Sequence, residues 1–146
     1  MKIFSKRIFK VVVACMMVCL MSATPVLAAS SFSKTTVKLN AYSGGSSTKS
    51  TVTSGTVGDN KSVTKVELRC NVSSGSNPYT LYVKSPEGTT ASFAGPIPSA
   101  TITTTAFNGE NPSGTWTIWI VNSNVSDNGN VYPVSTVTVT IKVYYS

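Results

Sequence analysis

Apolar and polar residues alternate along most of the chain that follows residue 30. One such run, TVTVTIKV, covers 136–143, and another, KVELRCNV, covers 65–72. Further runs begin at Val37, Tyr79 and Trp116. A repeat of two residues is typical of a β-strand that buries one face and exposes the other. The pattern therefore predicts a protein of short β-strands without long helices.

Turn-forming residues separate these runs. The sequence SPEG at 85–88 has Pro at the second and Gly at the fourth position of a type I turn, which predicts a hairpin into 89–93. The two prolines of GPIP at 95–98 exclude an interior strand there, because proline cannot donate to the hydrogen-bond ladder. About eight short strands at this spacing predict an all-β fold, an antiparallel β-sandwich of jelly-roll-like architecture.

The first 28 residues have the composition of a secretory signal peptide. A basic head, MKIFSKRIFK, precedes the apolar run VVVACMMVCLM and a stretch of small residues that ends at Ala28. The apolar run is too short to span a bilayer. We therefore expect residues 1–28 to be cleaved and 29–146 to form a single secreted domain, either free outside the cell or associated with the cell wall, with no transmembrane segment.

The alternative is that the N-terminal segment is the signal of a lipoprotein. The residues VVAC resemble a lipobox that would leave Cys15 as a lipidated N-terminus. The apolar run continues beyond that cysteine, whereas an apolar region should end at its cleavage site. The sequence therefore favours cleavage after Ala28.

Removing the head also changes the charge of the protein. The whole chain carries +7, but 8 basic and 5 acidic residues remain after residue 28, a net charge of +3. These charges are scattered and form no basic run with interleaved aromatic residues. We therefore expect no nucleic-acid partner.

The cysteine and histidine content restricts the chemistry. Cys70 is the one cysteine after residue 28, so a disulfide within the domain is impossible; burial is expected, with a bridge to another chain as the alternative. The chain has no histidine to activate a serine or cysteine nucleophile or to help bind zinc. We therefore expect a protein that is not an enzyme.

Two loop carboxylates, Glu110 and Asp127, flank the strand that contains both tryptophans. Two exposed carboxylates alone do not make an acid/base site. Calcium is the better candidate, because it binds carboxylate, amide and carbonyl oxygens. Its ligands would be Asp127, Asn128 and Asn130, with Asn122 or Glu110 contributing. The alternative is that these residues form Asx-type turns.

The two tryptophans are three positions apart in one alternating run, so they are expected on opposite faces of the strand. Trp116 alternates in phase with Ile118 and should belong to the core. Trp119 is out of phase and should face outward, where an exposed ring can stack on a sugar or anchor a protein partner. Tyr82 and Tyr132 are also predicted to point outward and are the other candidate binding residues; Tyr144 shares this outward parity. The alternative is that a neighbouring loop covers Trp119.

Several segments resemble the P domain of subtilisin-like proprotein convertases. PYTLYVKSPEGTTASF at 78–93 resembles its hairpin, and SVTKVELRCNVS at 62–73 resembles the strand before it. FNGENPSGTWTIWIVN at 107–122 is similar to the family's Gly-x-Trp strand, and SDNGNV at 126–131 to its turn into the last strand. The resemblance covers roughly 50–145 and its motifs occur in the family's order.

The resemblance implies a jelly-roll β-sandwich that assists a catalytic partner and that binds calcium in some family members. Asn122 replaces an Asp that is frequent in the family, and Val134 falls near the position of a second tryptophan. The family's P domain normally follows a protease domain, and we expect none in this chain. An assignment of peptidase activity to this chain would therefore rest on the resemblance alone.

These observations predict a secreted, non-catalytic module that binds, or is accessory to, a partner protein (a protease is one candidate) or a component of the cell envelope. A secreted bacteriocin-like or toxin-like effector is the first alternative. A hydrolase of unfamiliar type is the second.

Overall fold

In the computed structural model of the protein, residues 29–42, 44–122 and 135–146 are described. These residues form nine β-strands and no helix. The part of the chain that is described therefore contains no helix that could span a membrane. The strands are β1 (Ser30–Thr35), β2 (Leu39–Ala41), β3 (Ser50–Thr53), β4 (Val63–Ser74), β5 (Thr80–Lys84), β6 (Thr90–Ala94), β7 (Ala100–Thr104), β8 (Thr115–Val121) and β9 (Ser135–Tyr145). The predicted signal peptide lies outside the described residues.

The strands form two antiparallel sheets. The β9 sheet has the order β1-β9-β4-β7, with β2 also paired to β9 beyond the end of β1, and the β8 sheet has the order β3-β8-β5-β6. The pairs β2–β9, β3–β8, β4–β7 and β5–β6 are nested in sequence, as if one long hairpin were folded over into two layers. This strand order is that of a jelly roll. The predicted antiparallel β-sandwich is confirmed.

The core lies between the sheets and consists of the inward residues of the alternating runs. Each buried Leu, Ile or Val contributes about 1.5–3 kcal/mol relative to an exposed side chain. Among the described residues, the largest fully buried side chains are Trp116, Phe107, Leu39, Leu68, Leu81, Ile118, Ile120, Ile141, Val63, Val66, Val83 and Val137. The inward parity predicted for the runs at 65–72, 79–83, 116–120 and 136–143 is confirmed, with Val72 only partly buried.

The predicted hairpin joins β5 to β6. Gly88 N donates to Ser85 O, and Ser85 N donates to Thr89 O, which closes the turn. Gly88 has φ 102°, a conformation that glycine adopts without strain. The prolines at 95–98 follow β6 and lie outside any strand, as predicted. A Cβ on Gly95 would overlap the ring of Tyr79, so the buried tyrosine requires glycine at this position.

Three strands were not among the predicted alternating runs: β1, β3 and β7. In β1, Phe32 alone is apolar, and all but one of its residues are exposed. This strand is held by its backbone pairing with β9, from Ser30 opposite Tyr145 to Thr35 opposite Thr140. An edge strand of this kind leaves little hydrophobic periodicity in the sequence.

The predicted run that begins at Val37 is shorter than expected. Val37 is 68% exposed and lies between β1 and β2, not in a strand. Thr36 fixes this connection, because its N donates to Val139 O and its Oγ1 accepts from Val139 N. Leu39 and Ala41 are buried as predicted.

Candidate functional site

Trp119 and Tyr82 form a stacked pair on the outer face of the β8 sheet. They are directly opposite each other in the register of β8 and β5. Their ring centroids are 5.1 Å apart and their planes differ by 8°. Both side chains are half-buried, so part of each ring is accessible to a partner. The structure thus brings together two of the three predicted binding residues; Tyr132 lies outside the described residues.

Lys49 lies on the other side of Trp119. Its Nζ is 4.8 Å from the centroid of the Trp119 ring, a cation–π distance. Lys49 immediately precedes β3, and β3 and β5 flank β8 on opposite sides. The Trp119 ring therefore lies between Lys49 and Tyr82, and the residue is half-buried. The alternative that a loop covers Trp119 stays open for the segment 123–134, which lies outside the described residues.

The remaining outward positions of the β8 sheet are mostly small polar or basic, with Val121 as an aliphatic exception. Thr117 pairs with Lys84, and Ser92 pairs with Tyr82. The sequences of β3, β5, β6 and β8 contain no Asp or Glu. We call Lys49, Tyr82, Lys84, Thr117 and Trp119 the Trp119 surface. It is an aromatic and basic surface.

Trp116 belongs to the core, as predicted. It is fully buried, and its ring meets that of Phe107 edge to face at 5.2 Å and 81°. Its Nε1 donates to Pro112 O at 3.2 Å, so the buried indole N–H has an acceptor. The two tryptophans therefore have separate roles that their parity predicted: Trp116 packs the interior, and Trp119 faces outward.

The candidate calcium ligands Glu110 and Asn122 lie at opposite ends of the sandwich. Glu110 O accepts from Val63 N, and Val63 pairs with Tyr145 at the end of β9. Asn122 is fully buried, and its Nδ2 donates to Ser135 Oγ at the start of β9. About 30 Å, the length of an 11-residue strand, separates these positions. The two residues therefore cannot bind one ion together.

The other candidate ligands, Asp127, Asn128 and Asn130, lie outside the described residues. Within 29–42, 44–122 and 135–146, no group of three or more His, Cys, Asp or Glu side chains is placed to hold a metal ion. Calcium binding by this chain remains a hypothesis.

Cys70 is buried in the core, as predicted, and forms no disulfide. Burial raises the pKa of its thiol to about 11. A buried, protonated thiol is neither a good nucleophile nor accessible to a second chain. The alternative of an interchain bridge through Cys70 is therefore incompatible with the folded domain.

A charged cluster occupies the outer face of the β9 sheet. Lys65 Nζ donates to Glu67 Oε1 at 2.8 Å, and Tyr144 OH donates to Glu67 Oε2 at 2.8 Å. Lys65 and Lys142 lie 4.1 and 4.6 Å from the centroid of the Tyr144 ring. Lys65 and Glu67 therefore form a salt bridge on this face. Tyr144 is half-buried on this sheet, so it does not share a patch with Trp119 on the other sheet.

These contacts fix the protonation state of Glu67. The hydrogen bond from Lys65 is the main cause that lowers the pKa of its carboxyl, followed by the hydrogen bond from Tyr144. The same pairing raises the pKa of Lys65. Glu67 is therefore a carboxylate already paired with its neighbours, which argues against a role as general acid.

A groove next to this cluster was not predicted from the sequence. It has a volume of about 610 Å³ and is lined by residues of β1, β4, β7 and β9 and of the segment before β7. The lining residues are Thr35, Arg69, Cys70, Asn71, Ser99, Ala100, Thr101, Thr138 and Thr140. Because these residues are far apart in the sequence, no local motif indicates the groove.

No family model matches the chain, and no curated protein matches it. The fold is similar to that in the crystal structure of FlhE, with a TM-score of 0.53 and 17% identity over 81% of this chain and 96% of that one. The structure of tomato aspermy virus covers 91% of this chain and 92% of its own, with 11% identity and a TM-score of 0.47. The likeness to FlhE concerns the fold alone. The resemblance to the P domain receives no support from these comparisons and stays a hypothesis.

Proposed function

We propose that this protein is a non-catalytic binding module that docks a partner protein through the Trp119 surface. The observation that carries the proposal is the stacking of Trp119 on Tyr82, with Lys49 against the other side of the indole. Half-buried aromatic residues at the centre of an otherwise polar face have the character of a binding hot spot.

The rigidity of this arrangement favours binding. A free aromatic side chain loses rotamer entropy when a partner immobilises it. Here the neighbours on both sides already restrict Trp119, and the register of β8 and β5 fixes Tyr82 beside it. Rings that are already in place, with few rotatable bonds, are the kind of contact that gives affinity at low entropic cost.

The charge of the surface indicates the chemistry of the partner. Lys49 and Lys84 flank the aromatic pair, and the four strands of this sheet contain no acidic residue. We therefore expect a protein whose contact region combines an apolar patch with carboxylates. Such complementarity increases the association rate and makes it sensitive to salt.

The proposal that the protein is non-catalytic rests on the residues that could serve as a nucleophile, an acid or a base. The chain has no histidine, Cys70 is buried, and Glu67 is paired with Lys65 and Tyr144. Glu87 lies in the turn between β5 and β6 and accepts a hydrogen bond from Asn111 N, so its carboxylate has a structural role. The predicted signal peptide and the P-domain resemblance favour an extracellular partner, and a protease is the first one to examine.

Affinity capture with matched variants tests the proposal. The immobilised protein, W119A, Y82A and Y144A would each be incubated with native extracellular and envelope proteins. Tyr144 is the control, because it is also a half-buried outward aromatic residue but lies on the opposite sheet. We expect a partner that binds the wild-type protein and Y144A, is lost with W119A and Y82A, and is released by salt. The absence of any partner that depends on Trp119 would refute the proposal.

A further inference from the structure

The groove on the β9 sheet has the size of a ligand site and a polar lining. Its volume of about 610 Å³ falls within the range of small-ligand pockets. A smaller depression of about 160 Å³ shares Arg69, Thr101 and Thr140 with it, so the two lie next to each other on the same face. Two adjacent depressions suit a chain-like ligand, which can occupy both, better than a single small ion.

A row of hydrogen-bonding side chains crosses the floor of the groove. Thr35 pairs with Thr140, Thr140 with Arg69, and Arg69 with Thr101 in the register of β1, β9, β4 and β7. The hydroxyls of Thr35 and Thr140 are 2.9 Å apart and hydrogen-bonded. Asn71 and Ser99 continue the polar lining and are themselves joined by a 3.4 Å hydrogen bond.

The charge of the groove is positive. Arg69 is exposed and forms no ion pair among the described residues, although Glu67 lies two positions before it on the same face. Glu67 is instead bound by Lys65 and Tyr144, and Lys142 lies directly opposite it on β9. Arg69 lines both the groove and the smaller depression, whereas Lys142 and Glu67 line only the depression, where the Glu67 carboxylate is already hydrogen-bonded to Lys65 and Tyr144.

We propose that this groove binds an acidic polysaccharide, with Arg69 holding the carboxylate of a uronic acid residue. A guanidinium matches a planar carboxylate with two parallel hydrogen bonds. Threonine and serine hydroxyls donate and accept, as sugar hydroxyls do. Neither the groove nor the depression is lined by an aromatic ring, so recognition rests on charge and hydrogen bonds.

This site is independent of the Trp119 surface. The groove lies on the outer face of the β9 sheet, and Trp119 lies on the outer face of the β8 sheet, with the core between them. The two faces point in opposite directions, so both ligands can be bound at once. The protein would then attach its partner to an acidic glycan matrix.

Isothermal titration calorimetry with defined oligosaccharides tests the inference. The purified protein would be titrated with a galacturonic acid tetramer, a neutral glucose tetramer, a sulfated tetramer and inorganic phosphate. We expect binding of the galacturonic acid tetramer, weakened by salt. We expect R69Q to lose about tenfold or more in affinity. R69K should have an affinity between those of R69Q and the wild type, because lysine keeps the positive charge but cannot donate two parallel hydrogen bonds to one carboxylate.

Controls separate this site from general charge and from misfolding. K38Q removes one positive charge from an exposed residue that lines neither the groove nor the depression, and it should bind the galacturonic acid tetramer as the wild-type protein does. Arg69 is exposed, so R69Q should keep the wild-type circular dichroism and melting temperature.

Three results would overturn the inference: no binding of the galacturonic acid tetramer, equal binding by R69Q, or equal loss with K38Q. Tighter binding of the sulfated tetramer would overturn the carboxylate assignment. Phosphate that binds as tightly as the galacturonic acid tetramer would overturn saccharide recognition. None of these results depends on whether a partner binds the Trp119 surface.

Discussion

Trp119 and Tyr82 stack across β8 and β5 with ring centroids 5.1 Å apart, although they are 37 positions apart in the sequence. The antiparallel register places them directly opposite each other on the outer face of the β8 sheet. Lys49 lies against the far side of the indole. This arrangement makes one accessible aromatic unit from residues that have no contact in the unfolded chain.

Fluorescence quenching should distinguish the two tryptophans. Trp116 is fully buried, whereas Trp119 is half-buried beside Lys49. We expect iodide to quench Trp119 more strongly than caesium, because the ammonium of Lys49 attracts the anion. W119F should remove most of the quenchable emission and leave that of Trp116. Strong iodide quenching in W119F would contradict the assignment of Trp116 to the core.

Replacing Trp116 should destabilise the fold far more than replacing Trp119. W116A removes a fully buried side chain, its edge-to-face contact with Phe107 and its hydrogen bond to Pro112 O. We expect a loss of about 3–5 kcal/mol in the free energy of unfolding. Urea denaturation followed by circular dichroism measures this change, with W119A as the control at about 1 kcal/mol or less. Equal losses in the two variants would be inconsistent with the fold.

The thiol of Cys70 should be unreactive in the folded protein. Burial raises its pKa to about 11, so only about one molecule in a thousand carries the thiolate at pH 8. In a chain with Cys15 and Cys19 replaced by serine, a thiol reagent should modify Cys70 only after denaturation. S99C in the same background places a thiol at an exposed position and should react at once. Rapid modification of native Cys70 would show that the domain opens there.

The carboxyl of Glu67 should titrate below the ordinary value of about 4.3. Its hydrogen bonds from Lys65 and Tyr144 favour the ionised form, which lowers its folded pKa. The pairing therefore adds stability above the unfolded pKa and loses it as the pH falls through the folded pKa. NMR titration of the side-chain carbonyl measures the midpoint. K65M should raise it more than Y144F, because the Lys65 hydrogen bond is the larger cause; an unchanged midpoint in both would contradict the assigned contacts.

Much of the sandwich could be predicted because its longest strands alternate cleanly. The parity of β4, β8 and β9 placed Cys70 and Trp116 in the core, and the SPEG sequence located the hairpin at 85–88. These are local signals, since a strand that buries one face must repeat every two residues. β1 gave no such signal, because its pairing with β9 depends on backbone hydrogen bonds and not on an apolar face.

The surfaces could be predicted only in part. Parity indicated that Trp119 and Tyr82 point outward, but their stacking depends on the register between β8 and β5, which no local pattern contains. The groove depends even more on long-range pairing, because Thr35, Arg69 and Thr140 come from three separate strands. Sites assembled by strand register are not apparent until the strands are paired.

The most direct test of the proposed function is the dissociation constant of the captured partner for the wild-type protein, W119A and Y144A, measured at one salt concentration. Truncating a hot-spot tryptophan typically costs about 2 kcal/mol or more, so W119A should bind about 30-fold more weakly. Y144A, which removes a half-buried aromatic ring from the opposite sheet, should bind as the wild-type protein does. Wild-type affinity in W119A, or an equal loss in Y144A, would contradict the account.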